Sequence, residues 1–405
     1  MSTLSTTTLS KRFIAIIILA ITPLSGISID MYAPSLPTIA HFFHISAALS
    51  KTTITLYLIG FGLGQIIFGC LNDSFGRKKP LFLGTTAFTL SSLIIAFVPN
   101  LALFLIMRIL QGATAASVSV SVKAINADIF EGSELVKITT YYSAIWSTCL
   151  ILAPLLGSYI QHYFNWQANF YFFALFGAVC TLLTFCLPET INTYHNFSPL
   201  QAIKNYAKLL SHKEFLSGSC SIAIGFTFMV LFSVIGPFLI IRDLNYSVIF
   251  FGHVAFLVGV MTLIGSFFAR ALSKLLPSST IVAIAISLTL LATITYVIVG
   301  FCYALNLYAF IIPIFFVVLC DSIYFPTYFS KIIGLFPHNR GSASASIGIM
   351  LSLIPFIVTF VVSLIPLYTL LPVALIYLAL SIVLFSLYLF VMKPLIQKES
   401  STSWN

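Results

Sequence analysis

Three ionisable residues lie inside long apolar stretches of the sequence: Asp30, Arg108 and Asp321. A charged side chain within a membrane is energetically expensive, so residues of this kind usually mark an ion path or a proton relay. A carboxylate beside a guanidinium stays ionised, whereas a carboxyl group moved into an apolar environment takes a proton. The pattern therefore predicts a carboxyl group that binds and releases a proton.

The composition indicates a membrane protein as the framework for these residues. Of 405 residues, 60% are hydrophobic and 7% are charged, and the mean hydropathy is +1.08. Soluble domains carry roughly 25% charged residues, so this chain cannot cover a water-facing surface. The net charge of +9 arises from short clusters between apolar runs, which argues against a nucleic-acid-binding face. The seven cysteines lie in apolar stretches without a CxxC pair, so we expect no disulfide, no metal and no cofactor.

Apolar runs of about 20 residues, the length that spans a bilayer, occur twelve times. They lie near residues 13–33, 52–71, 80–98, 101–122, 138–161, 167–187, 215–241, 249–272, 280–300, 307–329, 343–365 and 369–391. The sequence therefore predicts an all-α integral membrane fold of twelve helices in two pseudo-symmetric six-helix bundles. We place the bundles at residues 1–187 and 215–405, with a cytoplasmic linker at 188–214.

Two further features support this organisation. Prolines recur about 200 residues apart, Pro34 with Pro237 and Pro154 with Pro355, which is typical of duplicated bundles. Ser198 followed by Pro199 predicts the start of a short amphipathic helix in the linker. Two interpretations of that helix stay open: it lies on the membrane surface, or it is a simple tether.

The distribution of positive charge predicts the orientation. All of the 19 Lys and Arg residues except Lys51, Arg108 and Arg242 fall on the side of the N-terminus. Cytoplasmic segments are enriched in these residues, so we expect a multi-pass protein of the cell inner membrane with both termini cytoplasmic. The first apolar run exceeds a typical signal-peptide core and has no A-x-A-like site, so we expect it to persist as a helix.

Asp30 and Arg108 are predicted to lie at similar depth. At 1.5 Å per residue, Asp30 is roughly 26 Å from the cytoplasmic start of its helix, and Arg108 is about 10 Å from the outer end of an oppositely directed helix. They could therefore meet inside the first bundle and form a conformation-dependent proton switch. Two alternatives stay open: a static ion pair that only holds the helices in register, and an Asp30 that sits in interfacial water.

A short basic loop separates the second and third apolar runs. It reads GCLNDSFGRKK from Gly69 to Lys79, which gives the spaced string G-x-L-x-D-x-x-G-R-K. Gly76 supplies the backbone freedom that a tight turn requires. Asp73 can then face Arg77 or the positive N-terminal end of a helix from the other half.

This string resembles the hallmark loop of the major facilitator superfamily. The sequence RILQG from Arg108 resembles the R-x-x-Q-G element of span four, and APLLG from Ala153 resembles the proline-glycine antiporter element of span five. DMYAPSLP from Asp30 is similar to the start of the bicyclomycin-resistance (Bcr/CflA-like) group of drug:proton antiporters. Pro188-Glu189-Thr190 and the RGSASA run from Arg340 also resemble that group.

The resemblance implies export of small, chemically diverse molecules against inward proton flow, by alternating access. Asp30 would be the proton acceptor and Arg108 would tune its proton affinity, while Pro154 and Gly157 would form a pivot. A cytoplasmic latch between the halves would comprise Gly69, Asp73, Gly76, Arg77 and Lys78. Ala153 stands where the superfamily pattern prefers glycine, which weakens the antiport implication.

Several other side chains on the spans could line a substrate cavity. The candidates are Tyr32, Tyr57, Phe61, Tyr142, Trp146 and Asp321. Aromatic walls bind varied apolar or cationic ligands by stacking and cation–π contacts, although core packing is the more common role. Asp321 either lines the cavity or is neutral and hydrogen-bonded to a neighbouring helix. The Bcr/CflA-like group usually has a small or apolar residue at that position.

Two classes of function are disfavoured. A membrane enzyme would need a motif such as HExxH or GxSxG, which the sequence does not contain. A channel would need rings of pore-lining groups, and the two-fold repeat with a lone Asp–Arg pair argues against it. A secondary transporter remains: a drug:proton antiporter or, alternatively, a proton-coupled importer or exporter of one amino acid, nucleoside or peptide. Its expected partners are a small-molecule substrate, protons and the lipid bilayer, and we expect a monomer.

Overall fold

The computed structural model describes residues 8–191, 197–336, 340–365, 367 and 369–392, and all regular structure within them is helical. The predicted all-α fold is therefore confirmed. The helices are α1 (Thr8–Ile21), α2 (Pro23–Asp30), α3 (Leu36–Phe42), α4 (Ala47–Phe75), α5 (Lys78–Phe97), α6 (Leu101–Ile129), α7 (Gly132–Tyr163), α8 (Trp166–Phe185), α9 (Pro199–Leu210), α10 (Lys213–Pro237), α11 (Val248–Leu272), α12 (Ser278–Cys302), α13 (Leu307–Gly334), α14 (Arg340–Ser363) and α15 (Leu370–Leu387).

Twelve helical segments in the described chain are long and apolar enough to cross a membrane, as the sequence predicted. Helices α1–α3 together form span one, α4–α8 form spans two to six, and α10–α15 form spans seven to twelve. The predicted division between spans nine and ten is confirmed, because α12 ends at Cys302 and α13 begins at Leu307. The Asn306 side chain caps α13 by accepting hydrogen bonds from the backbone N–H groups of Tyr308 and Ala309.

Several helices extend beyond their apolar runs. Helix α6 continues to Ile129 and α7 begins at Gly132, so both project past the hydrocarbon layer that the sequence outlines. The linker helix is present as α9, and the Ser198 hydroxyl accepts a hydrogen bond from the backbone N–H of Gln201. Ser198 therefore acts as the predicted N-cap.

Span one is discontinuous, which the sequence analysis did not predict. Helix α2 ends at Asp30, a turn follows at Met31 and Tyr32, and one 3-10 turn at Ala33–Ser35 precedes α3. Proline has no backbone N–H, and its ring clashes with the carbonyl group four residues earlier. For Pro34 that carbonyl belongs to Asp30. The proline therefore accounts for a helix that ends at Asp30.

The helices group into two compact units. The first comprises the described residues of 1–32 and 56–202, and the second those of 33–55 and 203–405. This grouping differs from the sequence-based division in one segment, residues 33–55, which cluster with the second unit. The Thr55 hydroxyl donates to the Thr359 hydroxyl at 3.0 Å, and the Lys51 ammonium lies 5.5 Å from the centre of the Phe238 ring.

Close helix packing in the first unit depends on glycine. A Cβ atom on Gly60 of α4 would lie 2.1 Å from the carbonyl oxygen of Ile109, and one on Gly112 of α6 would lie 2.1 Å from that of Tyr57. Small residues allow membrane helices to approach backbone to backbone. This approach brings Tyr57 on α4 and Arg108 on α6 to the same level of the unit.

The second unit has a continuous apolar core in which aromatic contacts join α10 and α15. Phe228 and Tyr377 stack with their ring centres 5.5 Å apart, and the Tyr377 hydroxyl donates to the Phe228 carbonyl at 2.9 Å. Gly265 allows α11 to approach the backbone of α13 at Leu319. The contact between α11 and α13 lies at Leu319, two residues before Asp321.

Candidate functional site: a buried aspartate and a stacked arginine

Asp30 is the last residue of α2 and is buried, with 2% of its surface exposed. The last carbonyl groups of a helix carry partial negative charge, and at this end Pro34 cannot donate to the Asp30 carbonyl. An ionised Asp30 side chain therefore stands at the negative end of a helical segment. Its charge requires compensation by a positive group nearby.

Arg108 is completely buried in the first unit and is held between aromatic rings. Its guanidinium carbon lies 4.1 Å from the ring centre of Tyr32, 4.6 Å from that of Tyr57 and 5.9 Å from that of Phe170. Cation–π contacts of a desolvated arginine contribute on the order of 2 kcal/mol. Helices α4 and α8 and the turn after α2 thus converge on one cation.

A hydrogen-bond chain also fixes the orientation of this arginine. Its guanidinium donates to the Gln111 side-chain oxygen, and the Gln111 amide donates to the Ser92 hydroxyl at 2.7 Å. Arg108 and Gln111 are one helical turn apart on α6, and Ser92 lies on α5. Gln111 therefore links Arg108 to α5. This link gives the R-x-x-Q part of the sequence element a structural role.

Tyr57 connects the arginine to the helix that carries Asp30. The Tyr57 hydroxyl and the Ser28 hydroxyl are 2.6 Å apart, and the charges of both Arg108 and Asp30 act on the Tyr57 hydroxyl. The two residues that the sequence predicted to lie at one depth are thus part of one buried polar cluster in the first unit. We call Asp30, Tyr32, Tyr57, Arg108 and Gln111 the aspartate–arginine cluster.

The antiporter element packs against the break in span one. A Cβ atom on Gly157 would lie 1.6 Å from the carbonyl oxygen of Met31, the residue that follows Asp30. Pro154 lies inside α7, three residues before Gly157. One turn of α7 therefore rests on the backbone next to the carboxyl group. The pivot role predicted for these two residues is not tested by this contact.

The remaining aromatic candidates of the first unit occupy different environments. Phe61 is buried, and its ring centre is 6.1 Å from that of Tyr57. Tyr142 is buried with its hydroxyl 3.4 Å from the Ser119 hydroxyl, and Trp146 is half-buried against Gly26. Phe61 thus extends the aromatic wall beside Tyr57. A role in substrate binding stays a prediction for all of them.

The loop between α4 and α5 forms a compact ionic network. Gly76 has a φ of +89°, a conformation that favours glycine. Arg77 donates to Asp73 at 2.7 Å and to Asp128 at 2.9 Å. Burial acts to lower the pKa of Arg77, but the hydrogen bonds to Asp128 and Asp73 outweigh it and hold this pKa above its usual value.

Glu189 completes this network, although the sequence analysis noted it only as part of a resemblance. Its carboxylate accepts hydrogen bonds from the backbone N–H groups of Arg77 at 2.7 Å and Lys78 at 3.2 Å. It therefore occupies the positive N-terminal end of α5. A Cβ atom on Gly76 would lie 2.2 Å from this carboxylate, so the space as well as the dihedral angle requires glycine.

The other latch residues lie around this network. The Lys78 ammonium donates to the Phe185 carbonyl at 2.8 Å, and Gly69 is half-buried on α4. Asp128 at the end of α6 was missed by the sequence analysis. Its position near the C-terminal end of the long helix that carries Arg108 was the one available signal. All of these contacts are internal to the first unit, and the predicted latch between halves stays a prediction.

Asp321 lies in the second unit, midway along α13 and beside Tyr324. It is half-buried as a residue, and its carboxyl group faces Gly225 of α10. This carboxyl group belongs to a different unit from the aspartate–arginine cluster. It forms a separate polar site, whose partners are described below.

Comparison with known proteins identifies a family. The model of the Major Facilitator Superfamily matches residues 18–359. An uncharacterized transporter of Rickettsia bellii is 32% identical over 64% of this chain, and the match spans 64% of that relative, just under two thirds of its length. A bicyclomycin resistance protein homolog of Haemophilus influenzae is 29% identical over 64% of this chain and 66% of its own.

The fold also matches solved structures. The crystal structure of a D-xylose-proton symporter superposes with a TM-score of 0.79, covering 94% of this chain and 98% of that one, at 15% sequence identity. At this identity the likeness shows the fold and nothing about the substrate. The resemblance to the Bcr/CflA-like group is supported by the relative from Haemophilus.

Proposed function

The chain belongs to the major facilitator superfamily, and on that premise we propose that it exports small drug-like molecules in exchange for protons. The coarser statement, that it is a multi-pass membrane transporter, follows from the family and from its twelve spans. The proposal adds the direction, the coupling ion and the substrate class. It places the protein in a cell inner membrane with both termini in the cytoplasm.

The observation that carries the proposal is the position of Asp30. A buried carboxyl group ends a helical segment of the first unit, and the same unit holds a buried arginine whose position is fixed by rings and by Gln111. The arginine cannot be deprotonated in proteins. Of these two groups, the carboxyl group is therefore the one that can gain or lose a proton during transport.

The break in span one supplies a way to couple that proton to movement. Because Gly157 of α7 rests on the Met31 carbonyl, a shift of α7 displaces the backbone next to Asp30. When Asp30 is close to the positive field of Arg108, its ionised form is stabilised; when it is displaced, the apolar surroundings favour the protonated form. Each transport cycle would then load and release one proton at Asp30.

The substrate class is proposed from chemistry and similarity together. Tyr32, Tyr57 and Phe61 place large aromatic surfaces next to the aspartate–arginine cluster. Such surfaces bind apolar and cationic molecules without a fixed hydrogen-bond pattern, which suits varied drug-like compounds. The Haemophilus relative, a bicyclomycin resistance protein homolog, supports the same class.

The loop between α4 and α5 is proposed as the cytoplasmic latch. Its ion pairs and the Glu189 contact hold Arg77 and Asp73 in fixed positions at the end of the first unit. A preorganised loop can make and break contacts in a switch without refolding. Substitutions in this loop should therefore slow turnover more than they weaken substrate binding.

The proposal is tested by uptake into inverted membrane vesicles from cells that produce the protein. The probes are bicyclomycin, the lipophilic cation tetraphenylphosphonium and D-xylose, each measured with and without an imposed pH gradient. We expect gradient-driven accumulation of one of the first two probes, and its loss in D30N. E131Q, which makes the same chemical change at an exposed carboxylate, should transport like the unaltered protein.

Two results would contradict the proposal. One is gradient-driven accumulation that D30N leaves unchanged, which would remove Asp30 from the coupling. The other is transport of D-xylose, or of another single metabolite, without transport of either drug-like probe. That outcome would support the alternative of a specific proton-coupled metabolite transporter.

A further inference from the structure

We propose that Asp321 is a second proton-binding carboxyl group, located in the second unit and independent of Asp30. The inference rests on the proposed proton-coupled function and adds a second proton-binding site to it. Asp321 is the fifteenth residue of the 28-residue helix α13, so it lies near the middle of span ten. A full charge at that depth is costly unless it is paired.

The surroundings of the carboxyl group provide few hydrogen-bond donors. One oxygen, Oδ1, is buried and accepts no hydrogen bond from any described residue, and the nearby Tyr324 hydroxyl, which interacts with the carboxyl group, donates to the Ser221 carbonyl. An ionised carboxylate needs several donors or a cation when it leaves water. A protonated carboxyl group carries no charge and tolerates this environment.

The chain makes room for this group on the neighbouring helix. A Cβ atom on Gly225 of α10 would lie 1.8 Å from Asp321 Oδ1 and 2.6 Å from the Tyr324 hydroxyl. Any larger residue at position 225 would displace both polar groups. The carboxyl group and the phenol therefore occupy a built recess in the face of α10.

Tyr324 can respond to the charge state of Asp321. Its hydroxyl lies 3.3 Å from the Ser221 carbonyl of α10 and also contacts the Asp321 carboxyl group. A tyrosine hydroxyl has one proton to donate. When Asp321 is ionised, the carboxylate is the stronger acceptor; when it is protonated, the Ser221 carbonyl can receive that hydrogen bond.

The helices that pack against α13 carry no lysine or arginine in their middle turns, where a cation could compensate an ionised Asp321. The charged residues of these helices lie at their ends: Lys213 and Glu214 on α10, Arg270 on α11, Lys331 on α13 itself and Arg340 on α14. The titratable neighbours are Tyr324, which contacts the carboxyl group, and Cys320, on which its charge acts. His253 of α11 is exposed and Tyr296 of α12 lies in the apolar core.

Proton exchange at this site would use water, and part of the surface of Asp321 is exposed. The carboxylate takes a proton from a hydronium ion, forming the neutral acid and water. The reverse reaction returns the proton to water and restores the charge.

The test is infrared spectroscopy of the full-length protein in liposomes, recorded as a pH difference spectrum in H₂O and in D₂O. Asp30 and Asp321 are the acidic residues that lie away from both ends of their spans, among the twelve spans of the described chain. We expect two bands of protonated carboxyl groups with the isotope shift of an acidic proton. D321N should lose one band and D30N the other, whereas E131Q should lose neither.

Two substitutions keep the test valid if D321N does not fold. D321E retains a carboxyl group and should move the Asp321 band without removing it. Y324F removes the hydroxyl donor and should shift the same band to higher frequency, because hydrogen bonding lowers the carbonyl stretch of a carboxyl group. Neither change should affect the band that D30N removes.

The inference is overturned if D321N, folded and monodisperse, gives the same carboxyl bands as the unaltered protein, or if D321E and Y324F leave all bands in place. This result is distinguishable from failure of the proposed function. Loss of the Asp321 band together with unchanged drug transport in D30N would support the second proton site and reject the coupling role of Asp30.

Discussion

The arginine in span four acts through its shape as well as its charge. The guanidinium of Arg108 lies against Tyr32 and Tyr57 and donates to Gln111. A planar guanidinium stacks on rings and donates in fixed directions, whereas a lysine ammonium is a compact and strongly hydrated charge. The cluster therefore selects arginine at this position.

We expect R108K to reduce gradient-driven transport about tenfold or more, although the charge is kept. The measurement is initial uptake in inverted vesicles, normalised to the amount of folded protein. R12K changes an exposed arginine in the same way and should leave uptake unchanged. Equal uptake by R108K and the unaltered protein would show that the stacked geometry has no functional role.

At the residue scale, the sequence singled out Asp30 and Arg108 but did not predict what surrounds them. Asp30 and Arg108 stand out because charges are rare in apolar runs. The stacking of Tyr32 and Tyr57 on Arg108 depends on the rotation of three helices about their axes. That rotation is set by packing between helices, which a single sequence does not reveal.

At the scale of elements, the proposed coupling depends most on the break in span one. The apolar run near residues 13–33 indicated where this span begins, but neither its continuation to Phe42 nor the place where it bends. Pro34 was noted for its repeat partner in span seven, yet it also ends α2 at Asp30 by blocking that carbonyl group. In span seven, α10 continues to the proline at 237, so the two related prolines have different local effects.

The contact between Gly157 and Met31 yields a prediction for the pivot. We expect G157A to destabilise the protein by about 1–3 kcal/mol, since the added methyl group overlaps a backbone carbonyl. The apparent melting temperature in detergent measures this effect. G334A is the matched control, because a Cβ atom at Gly334 meets no atom within 4 Å. A melting temperature as high for G157A as for G334A would contradict the close packing.

The number of spans was predicted correctly from hydrophobicity alone. Twelve apolar runs became twelve spans because the bilayer requires about 20 apolar residues per helix. The extensions of α6 and α7 beyond those runs were missed, since polar residues such as Asp128 lie outside the hydrocarbon layer and carry no apolar signal. The ionic network around Arg77 is built on one of these extensions.

At the scale of the whole molecule, residues 33–55, which end span one and begin span two, cluster with the second unit. Thr55 donates to the Thr359 hydroxyl at 3.0 Å, and the Lys51 ammonium lies 5.5 Å from the centre of the Phe238 ring. The chain of the first bundle is thus shared between the units. The sequence suggested a boundary only in the polar linker, because contacts between distant segments leave no mark in local composition.

The orientation of the molecule provides a further prediction. With the seven native cysteines replaced, P99C in the loop between α5 and α6 should react with a membrane-impermeant maleimide applied from outside. S273C, at the end of α11, should react only after the membrane is opened, because positively charged loops face the cytoplasm. Both residues are exposed. The reverse pattern of labelling would invert the topology.

Proton release upon substrate binding tests the central claim most directly, because it follows the proton itself. Purified protein in a weakly buffered detergent solution is mixed with whichever of bicyclomycin and tetraphenylphosphonium accumulates in the vesicles, and the pH change is read with an indicator dye. The account predicts that the unaltered protein and E131Q release protons and that D30N releases fewer, by the amount that belongs to Asp30. Equal proton release by D30N and the unaltered protein would contradict it.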